Sequence, residues 1–457
     1  MKNVVTSTIA DLAPRIKALR VSPVSIVQEC LEQIVALRDG NAFISVREKE
    51  AVDEAVSVEQ EIKTGRYRGP LHGIPIAIKD LINVAGMPTT SGSALPAPVA
   101  GNDAPVVHRL REAGAIVIGK TNLHEFAFGT TSDESAFGPV RHPRDPSRSA
   151  GGSSGGSATA LVGGMCLGAV GTDTGGSIRI PAAACGIVGL KPTLGELSCE
   201  GVVPLSTSFD HIGPMGLSVS DVGMLFQAMK GTTVRGVAPA GGRLTFGLAD
   251  GYFLQPLDRD ARLMIERATS ALRSKGHTIV DVSVRYAEWT PDVYLHIVLP
   301  EAASFHARFL EDFADRYCPG VRLRLEMGRY VLAEDYVRAM RLREVLTREV
   351  DRVLSACDAL LLPALAIPAP PIGASTVEVD GVTQPTRAAM LKLTQLFNMT
   401  GHPAIALPGG DGQDGLPRAL QLVGQRGRTE RLLDIAAAVE RDCYNAAGPG
   451  SVGGGTG

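Results

Sequence analysis

Two short stretches rich in glycine and serine, Gly151-Gly-Ser-Ser-Gly-Gly-Ser157 and Gly171-Thr-Asp-Thr-Gly-Gly-Ser177, decide how this sequence is interpreted. Between them lies an apolar segment, residues 158–170, that contains mainly Ala, Val, Leu and Gly. Glycine and serine at this density usually form a flexible linker. Here the flanking segments are apolar and must be buried, so we expect both stretches to be loops inside one folded unit. Glycine permits the positive φ angles and close backbone approach that such loops require.

The segments around these loops are predicted to be regular. Residues 157–164 are expected to form a helix of small residues, and residues 166–171 a short apolar strand. Residues 178–185, after the second loop, are apolar and helix-prone, which places Thr174-Gly-Gly-Ser177 where a helix begins. Backbone N–H groups at a helix start have no partner within the helix. They are therefore available to a developing negative charge.

Composition indicates an ordinary globular protein. The 457 residues are 44% hydrophobic and 20% charged, and 45 basic against 48 acidic residues leave a net charge of −3. This balance argues against nucleic-acid binding. The seven cysteines are scattered without CxxC spacing, which argues against a disulfide framework or a zinc site. We find no apolar run long enough for a membrane span and no signal-peptide core, and therefore expect a cytoplasmic protein without a membrane partner.

Alternating helical and strand-like patterns predict an α/β protein. Two helices are expected within residues 7–37, divided at Ser22-Pro23. In residues 74–79 the three isoleucines point to one side of a predicted strand and Pro75, Ala77 and Lys79 to the other, so Lys79 ends a small apolar strand face. The turn-rich segments 186–193 and 208–214 are expected to line the same cleft as the glycine-serine loops. Residues 287–348 are predicted to be mostly helical, with aromatic side chains that serve core packing more readily than a pocket.

Two motif matches are rejected on mechanistic grounds. Gly114-Ala-Ile-Val-Ile-Gly-Lys-Thr121 fits the P-loop expression, but its four intervening residues are strand formers, whereas a P-loop leaves them bare to cradle phosphate. Gly151-Gly-Ser-Ser-Gly155 fits GxSxG, but a nucleophile elbow follows a strand. Here the preceding residues 141–148 form a basic loop with two prolines.

A serine in these loops needs a base. His211 and His402 are the best-placed histidines, but nothing in the sequence pairs either with an acidic partner, and a structural role is favoured for both. Lys79 is the alternative, because a lysine desolvated at the end of an apolar strand face loses its proton more easily. Lowering its pKa from about 10.4 to near 7 lies within the range known for buried lysines.

With both loops and Lys79 considered together, the sequence closely resembles the amidase signature family over residues 5–440. The matching segments occur in family order, and the interval between Ser153 and Ser177 also fits. They are Leu71-His-Gly-Ile-Pro-Ile-Ala-Ile-Lys-Asp80, Lys120-Thr-Asn-Leu-His-Glu-Phe126, Gly151–Ser157, Gly171–Pro181, Cys185-Gly-Ile-Val-Gly-Leu-Lys-Pro192 and Asp210-His-Ile-Gly-Pro214.

The resemblance implies a fold and a domain organisation. The expected fold is a single large α/β domain over residues 1–445, with a mixed, mostly parallel sheet covered by helices on both faces. Within it, residues 65–225 would be the catalytic core and residues 285–350 a variable helical region near the substrate. Residues 446–457 are expected to be a disordered tail, of native or added origin.

The resemblance also implies a catalytic site. Ser177 would be the nucleophile, Ser153 a bridging serine behind a cis peptide bond, and Lys79 the base. The N–H groups of Thr174, Gly175, Gly176 and Ser177 would form the oxyanion hole. No metal or cofactor is implied. Arg179 could hold a substrate carboxylate, but a structural role is favoured.

Substrate expectations follow from the pocket residues. The loop containing Ala127, Phe128, Gly129 and Thr130 would run along the acyl side with aromatic rings and no charge, and Leu391 stands where glutamine-dependent relatives carry an acidic residue. We expect a small-molecule hydrolase, monomeric or homodimeric, that cleaves neutral, partly aromatic amides, with carbamates (urethanes) or esters as alternates. A glutamine-dependent amidotransferase A-type subunit remains the second hypothesis.

Overall fold

A computed structural model describes residues 7–444, and the predicted tail at 446–457 lies outside the described residues. Its strands are β1 (Phe43–Val46), β2 (Pro75–Lys79), β3 (Ile116–Thr121), β4 (Gly168–Asp173), β5 (Val188–Lys191), β6 (His211–Gly216), β7 (Thr245–Ala249), β8 (Thr278–Val282), β9 (Ala359–Pro363), β10 (Thr376–Val379), β11 (Val382–Pro385), β12 (Ala404–Asp411) and β13 (Pro417–Val423).

The helices of the described residues flank these strands. They are α1 (Ile9–Lys17), α2 (Pro23–Ala36), α3 (Glu48–Lys63), α4 (Pro105–Glu112), α5 (Gly155–Val162), α6 (Arg179–Cys185), α7 (Val219–Lys230), α8 (Arg259–Ser274), α9 (Thr290–Phe313), α10 (Pro319–Gly328), α11 (Ala333–Leu354), α12 (Thr386–Leu391), α13 (Gln395–Met399) and α14 (Thr429–Tyr444). No helix in residues 7–444 combines the length and the apolar character that a membrane span requires.

Eleven strands form one mixed sheet, in the order β1-β3-β2-β4-β6-β5-β12-β13-β9-β7-β8. Parallel pairs occur where β2 lies between β3 and β4, and where β7 lies between β8 and β9. The six other neighbouring pairs are antiparallel. The α/β class and the single helix-flanked mixed sheet are therefore confirmed.

The helix start predicted at Ser22-Pro23 is confirmed, and α1 begins with a cap that the sequence analysis did not predict. The Thr8 side chain accepts a hydrogen bond from Asp11 N and caps α1, and the Ser22 side chain caps α2 with Pro23 at its first position. A capping oxygen accepts hydrogen bonds from N–H groups that have no partner inside the helix. Proline suits the first helical position because it has no N–H group that would be left without a partner there.

The central strands β2, β3 and β4 position the lysine and the two loops. β2 ends at Lys79, and β3 covers the P-loop-like residues 116–121 in a fully buried ladder, so those residues cannot cradle phosphate. β4 ends at Asp173, directly before the second glycine-serine loop. Because β2 and β4 are parallel neighbours, Lys79 and that loop meet at one edge of the sheet.

Two secondary-structure predictions are wrong or incomplete. The sequence indicates turns in segments 186–193 and 208–214, but these segments contain β5 and β6, which are paired within the sheet interior. Their glycines and prolines weaken a strand signal that tertiary pairing overrides. The β10–β11 hairpin is missing from the sequence-based prediction, although Asp380-Gly381 at its turn is a strong hairpin signal.

Candidate active site

Lys79 lies at the end of β2 with its side chain fully buried. Its Nζ is 2.8 Å from Ser153 Oγ and 2.8 Å from Thr172 Oγ1. Burial lowers the pKa of the ammonium group from 10.5 to about 7, against the opposing effect of the Asp173 and Asp210 carboxylates. A lysine in this state is a competent proton acceptor near neutral pH.

Ser153 follows a cis peptide bond from Gly152, the feature that the sequence resemblance implied. The Ser153 carbonyl accepts hydrogen bonds from Ser132 Oγ at 3.1 Å and His124 N at 3.2 Å. A side chain at position 152 would lie 2.7 Å from Ser132 N, so only glycine fits there. The surrounding backbone therefore fixes the Ser153 hydroxyl against Lys79.

Ser177 is 6% exposed, and its hydroxyl makes no hydrogen bond within residues 7–444. Its carbonyl accepts a hydrogen bond from Ser154 N at 3.2 Å, which ties the two glycine-serine loops together. The Ser177 backbone is thus held against the first loop, while its hydroxyl has no hydrogen-bond partner in the described chain.

The four N–H groups of the second loop are free. In the described chain, none of the N–H groups of Thr174, Gly175, Gly176 and Ser177 donates a hydrogen bond. Gly176 has a φ of 140°, and a Cβ there would lie 2.2 Å from Thr394 Oγ1. Thr394 Oγ1 in turn donates to the Gly175 carbonyl at 2.6 Å. These contacts fix the loop from behind and leave its donors exposed to an incoming oxygen.

Asp173, the residue before this loop, anchors it. One carboxylate oxygen accepts from Ile178 N at 3.1 Å and Arg179 Nε at 3.0 Å, and the other accepts from Arg179 Nη2 at 2.9 Å and Asn398 Nδ2 at 2.7 Å. Burial opposes ionisation of Asp173, but Arg179 and Asn398 hold its pKa well below its usual range.

Arg179 has its donors committed within the core. Besides Asp173, it donates to the Thr394 carbonyl, to Gln421 Oε1 and to Asn398 Oδ1. The side chain is fully buried. It therefore supports the loop rather than a substrate carboxylate, in agreement with the favoured sequence-based interpretation.

Asp210 is a site residue that the sequence did not single out. Its carboxylate accepts from Thr174 Oγ1 at 2.6 Å and from the N–H groups of Leu205 and Ser206. Burial raises the pKa of Asp210 to about 6, against the effect of these hydrogen bonds. Asp210 thus fixes the first residue of the candidate oxyanion loop and places a second titrating group close to Lys79.

The two candidate histidines make structural contacts. His211 Nδ1 lies 2.6 Å from the Phe209 carbonyl, and its Nε2 is 3.2 Å from Lys191 Nζ. His402 Nε2 lies 3.0 Å from Asp351 Oδ1. Within residues 7–444 neither ring hydrogen-bonds a serine of the two loops, so no Ser–His–Asp arrangement is present there.

Comparison with known proteins shows the family of the chain. Residues 25–433 match the Amidase family. The chain belongs to the amidase family. An amidase from Pseudomonas putida is 36% identical over 437 residues, which cover 92% of each chain. A crystal structure of an amidase superposes with a TM-score of 0.91 at 38% identity, over 95% of this chain and 99% of that one.

Amidotransferase components are also similar to this amidase. The A subunit of the glutamyl-tRNA(Gln) amidotransferase from Lachnospira eligens (strain ATCC 27750 / DSM 3376 / VPI C15-48 / C15-B4) is 31% identical over 479 residues, with 95% of this chain and 98% of that protein covered. The family therefore includes both enzymes called amidases and components of larger assemblies.

In this chain the predicted acyl loop is buried and tightly packed. Phe128 is 1% exposed, and a Cβ at Gly129 would lie 2.0 Å from the His124 ring. Phe126 does not offer an open face, because its ring packs edge-on against His306 at 4.4 Å. Ala127 and Thr130 are also buried.

Leu391 lies directly beside the candidate oxyanion loop. A Cβ at Gly175 would lie 3.0 Å from Leu391 Cδ2 and 2.6 Å from the Tyr294 hydroxyl. Tyr294 stacks on Phe209 with the ring centroids 5.5 Å apart. Tyr294 was not identified from the sequence, because its position on α9 carries no local signal that links it to a loop more than one hundred residues earlier.

The acyl loop itself carries no charge at residues 126–132, but two cations reach it from elsewhere. The guanidinium groups of Arg324 on α10 and Arg387 on α12 each lie 5.5 Å from the centre of the Phe128 ring. The surroundings of Phe128 are therefore less neutral than the loop sequence alone indicated.

Proposed function

We propose that this amidase is a stand-alone hydrolase of linear amides that acts through an acyl-enzyme on Ser177. The observation that supports this most directly is the hydrogen bond between Ser153 Oγ and the buried Lys79 Nζ, whose pKa is lowered to about 7. The Ser177 hydroxyl, which has no partner in the described chain, and the four free N–H groups of the second loop also support the proposal.

The proposed reaction runs in two stages. Ser177 Oγ attacks the amide carbonyl while its proton passes to Ser153 Oγ, and the Ser153 proton passes to neutral Lys79. As the C–N bond breaks, the same path returns one proton to the leaving amine. Water then attacks the acyl-enzyme, giving its proton to Lys79 through Ser153, and the Ser177 oxygen regains a proton as the acid leaves.

The second loop would stabilise the oxyanion. Its N–H groups are free, buried and fixed before substrate arrives, so little reorganisation is needed as charge develops. Losing one such donor typically costs about 3–4 kcal/mol in transition-state stabilisation. Asp173 and Asp210 act indirectly, by fixing the backbone at the two ends of the loop.

The preference next to the scissile carbonyl is for neutral, partly aromatic groups. Leu391 and Tyr294 flank Gly175, and burial of apolar surface there contributes about 25 cal/mol per Å². Carbamates and esters present the same carbonyl and are proposed as alternates. The glutamine-dependent role is less favoured, because Leu391 offers no charge for the ammonium group of glutamine.

The proposal also covers the organisation of the chain and its setting. Residues 65–225 hold both loops and Lys79, consistent with a catalytic core, while α10 and α11 each pack against α9 in the region 285–350. A cytoplasmic small-molecule enzyme, monomeric or homodimeric, is proposed.

The test compares three serine variants on an aryl amide. Ser177→Ala should abolish both turnover and the covalent adduct seen by mass spectrometry with a slow substrate. Ser153→Ala should retain weak turnover. Ser154→Ala is the matched control, since its hydroxyl donates to the Thr172 carbonyl and not to Lys79. Adduct on Ser153 or Ser154, or activity of the chain only with added partner proteins, would refute the proposal.

A further inference from the structure

Arg387, on α12, is a cation without a partner. Its side chain is half-buried, yet within residues 7–444 its guanidinium makes no hydrogen bond and no ion pair. The guanidinium lies over the face of Phe128 instead, at 5.5 Å from the ring centre. A guanidinium group carries five N–H donors, and those of Arg387 are left without an acceptor in the described chain.

Its position connects it to the site. Arg387 precedes Leu391 by four residues on the same short helix, so the two side chains lie on one face. Leu391 borders Gly175 in the candidate oxyanion loop. The Tyr294 hydroxyl borders Gly175 as well, and it interacts electrostatically with Arg387. Arg387 therefore lies one helical turn from Leu391, the residue that borders the oxyanion loop.

The neighbouring carboxylate does not neutralise it. Glu134 is held by Arg324 Nη2 at 2.9 Å, by Gly320 N at 2.8 Å and by His124 Nε2 at 3.1 Å. Arg324 is thus the paired cation over Phe128, and Arg387 is the unpaired one within the described chain. Burial and Arg324 lower the pKa of Arg387 only to about 10, so it stays charged at neutral pH.

We propose that Arg387 is a specificity-determining residue that binds a carboxylate at the far end of the acyl group. A carboxylate matches the planar fork of a guanidinium and satisfies its donors. Leu391 and Phe128 supply an apolar wall between that group and the scissile carbonyl. The substrate class is then an amide of a dicarboxylic acid, neutral beside the carbonyl and anionic at its distal end.

This inference rests on the proposed amide hydrolysis and deepens it. It limits the expected preference for neutral groups to the segment next to the carbonyl. It also distinguishes Arg387 from Arg179, whose donors are all committed inside the core.

The experiment uses matched anilides. The anilides of terephthalic and glutaric acid, each with one free carboxylate, are compared with analogues in which a methyl ketone replaces that carboxylate. In the unmodified enzyme the acids should give at least about tenfold higher kcat/KM, as expected for a charge-assisted pair. Arg387→Met should lower kcat/KM for the acids about 10- to 100-fold, mainly through KM, and change the ketones less than about threefold. Arg387→Lys should fall between.

Controls keep the outcomes separate. Lys392 follows the same helix, but its ammonium group lies over the Tyr252 ring and not over Phe128. Lys392→Met should therefore leave the ratio of kcat/KM for acids to kcat/KM for ketones unchanged. Equal losses for acids and ketones in Arg387→Met, or a preference for ketones in the unmodified enzyme, would overturn the assignment. The benzoyl amide of 4-aminobenzoate carries its carboxylate on the leaving amine. If Arg387→Met affects only this substrate, the carboxylate site lies on the amine side and its placement on the acyl side is overturned.

Failure of the proposed reaction is distinguishable. If no anilide is hydrolysed, calorimetric binding of the terephthalate anilide to Ser177→Ala still measures the role of Arg387. If Arg387→Met, added to Ser177→Ala, weakens this binding about tenfold, the carboxylate site is supported. If the binding is unchanged, the carboxylate site is refuted.

Discussion

The pH dependence of hydrolysis gives the sharpest test of the buried lysine. Burial lowers the pKa of Lys79 from 10.5 to about 7. That shift of three to four units corresponds to about 5 kcal/mol favouring the neutral amine. At pH 7 about half of the enzyme then carries a neutral Lys79, against about 0.03% for an unperturbed lysine. For an aryl amide, kcat/KM should rise with pH through an apparent pKa near 7 and then level off.

Thr172→Val is the informative perturbation. Thr172 Oγ1 is 2.8 Å from Lys79 Nζ, and a hydrogen bond to the charged form is worth roughly 1 kcal/mol more than one to the neutral form. Removing this bond should shift the rising, acidic part of the pH profile (the acid limb) to lower pH by about 0.5–1 unit and lower the plateau of kcat/KM. Thr159→Val, on α5 and bonded to the Arg141 carbonyl, is the matched control and should leave the limb in place.

Asp210 must be separated from Lys79, because burial raises its pKa to about 6. Its carboxylate raises the pKa of Lys79, so Asp210→Asn should keep the acid limb and shift it to lower pH. If the acid limb disappears in Asp210→Asn, it reports the titration of the Asp210 carboxylate and not of Lys79. Two results would refute the burial argument. One is an acid limb in the unmodified enzyme about two pH units higher, near the range of an ordinary lysine; the other is a shift of the limb to higher pH in Thr172→Val.

Three further predictions concern the loops and the base. Gly176→Ala should lower kcat about 100-fold, because a Cβ there would lie 2.2 Å from Thr394 Oγ1 and displace an oxyanion donor; Gly195→Ala, where φ is also positive (77°) but the Cβ meets open space, controls for the backbone strain and should retain activity. Asp173→Asn should reduce the free energy of unfolding by about 3–5 kcal/mol in urea titrations, since it leaves a buried guanidinium unpaired, whereas the exposed Asp53→Asn should change it by less than about 1 kcal/mol. Lys79→Ala should reduce amide hydrolysis more than hydrolysis of activated esters, whose leaving groups need less protonation; equal losses would indicate a structural lysine.

Local sequence predicted the parts of the fold that depend on local chemistry. The helix start at Ser22-Pro23, the alternating strand that ends at Lys79 and the glycine-serine loops were all visible in short windows. The strands β5 and β6 were not, because their Gly and Pro content resembles turns and only pairing within the sheet makes them strands.

The candidate site divides in the same way. Lys79, Ser153 and Ser177 stand in motifs that can be interpreted together, and the structure brings Lys79 and Ser153 into contact. Thr172 was not predicted although it lies inside one of those motifs, since its contact depends on the parallel pairing of β2 and β4. Arg387 lies more than 250 residues from Phe128, so no sequence spacing indicates that the two meet.

The buried cluster around Arg179 has a consequence for how the enzyme is made. Arg179 lies next to the second loop, but three of its acceptors, the Thr394 carbonyl, Asn398 and Gln421, come from the last part of the described chain. A nascent chain that ends before Gln421 already carries every proposed reacting group, yet it has a charged guanidinium without its full set of acceptors and a loop without its support. Formation of β13, which carries Gln421, completes the support of the second loop, so a chain that stops before this strand is expected to lack hydrolase activity.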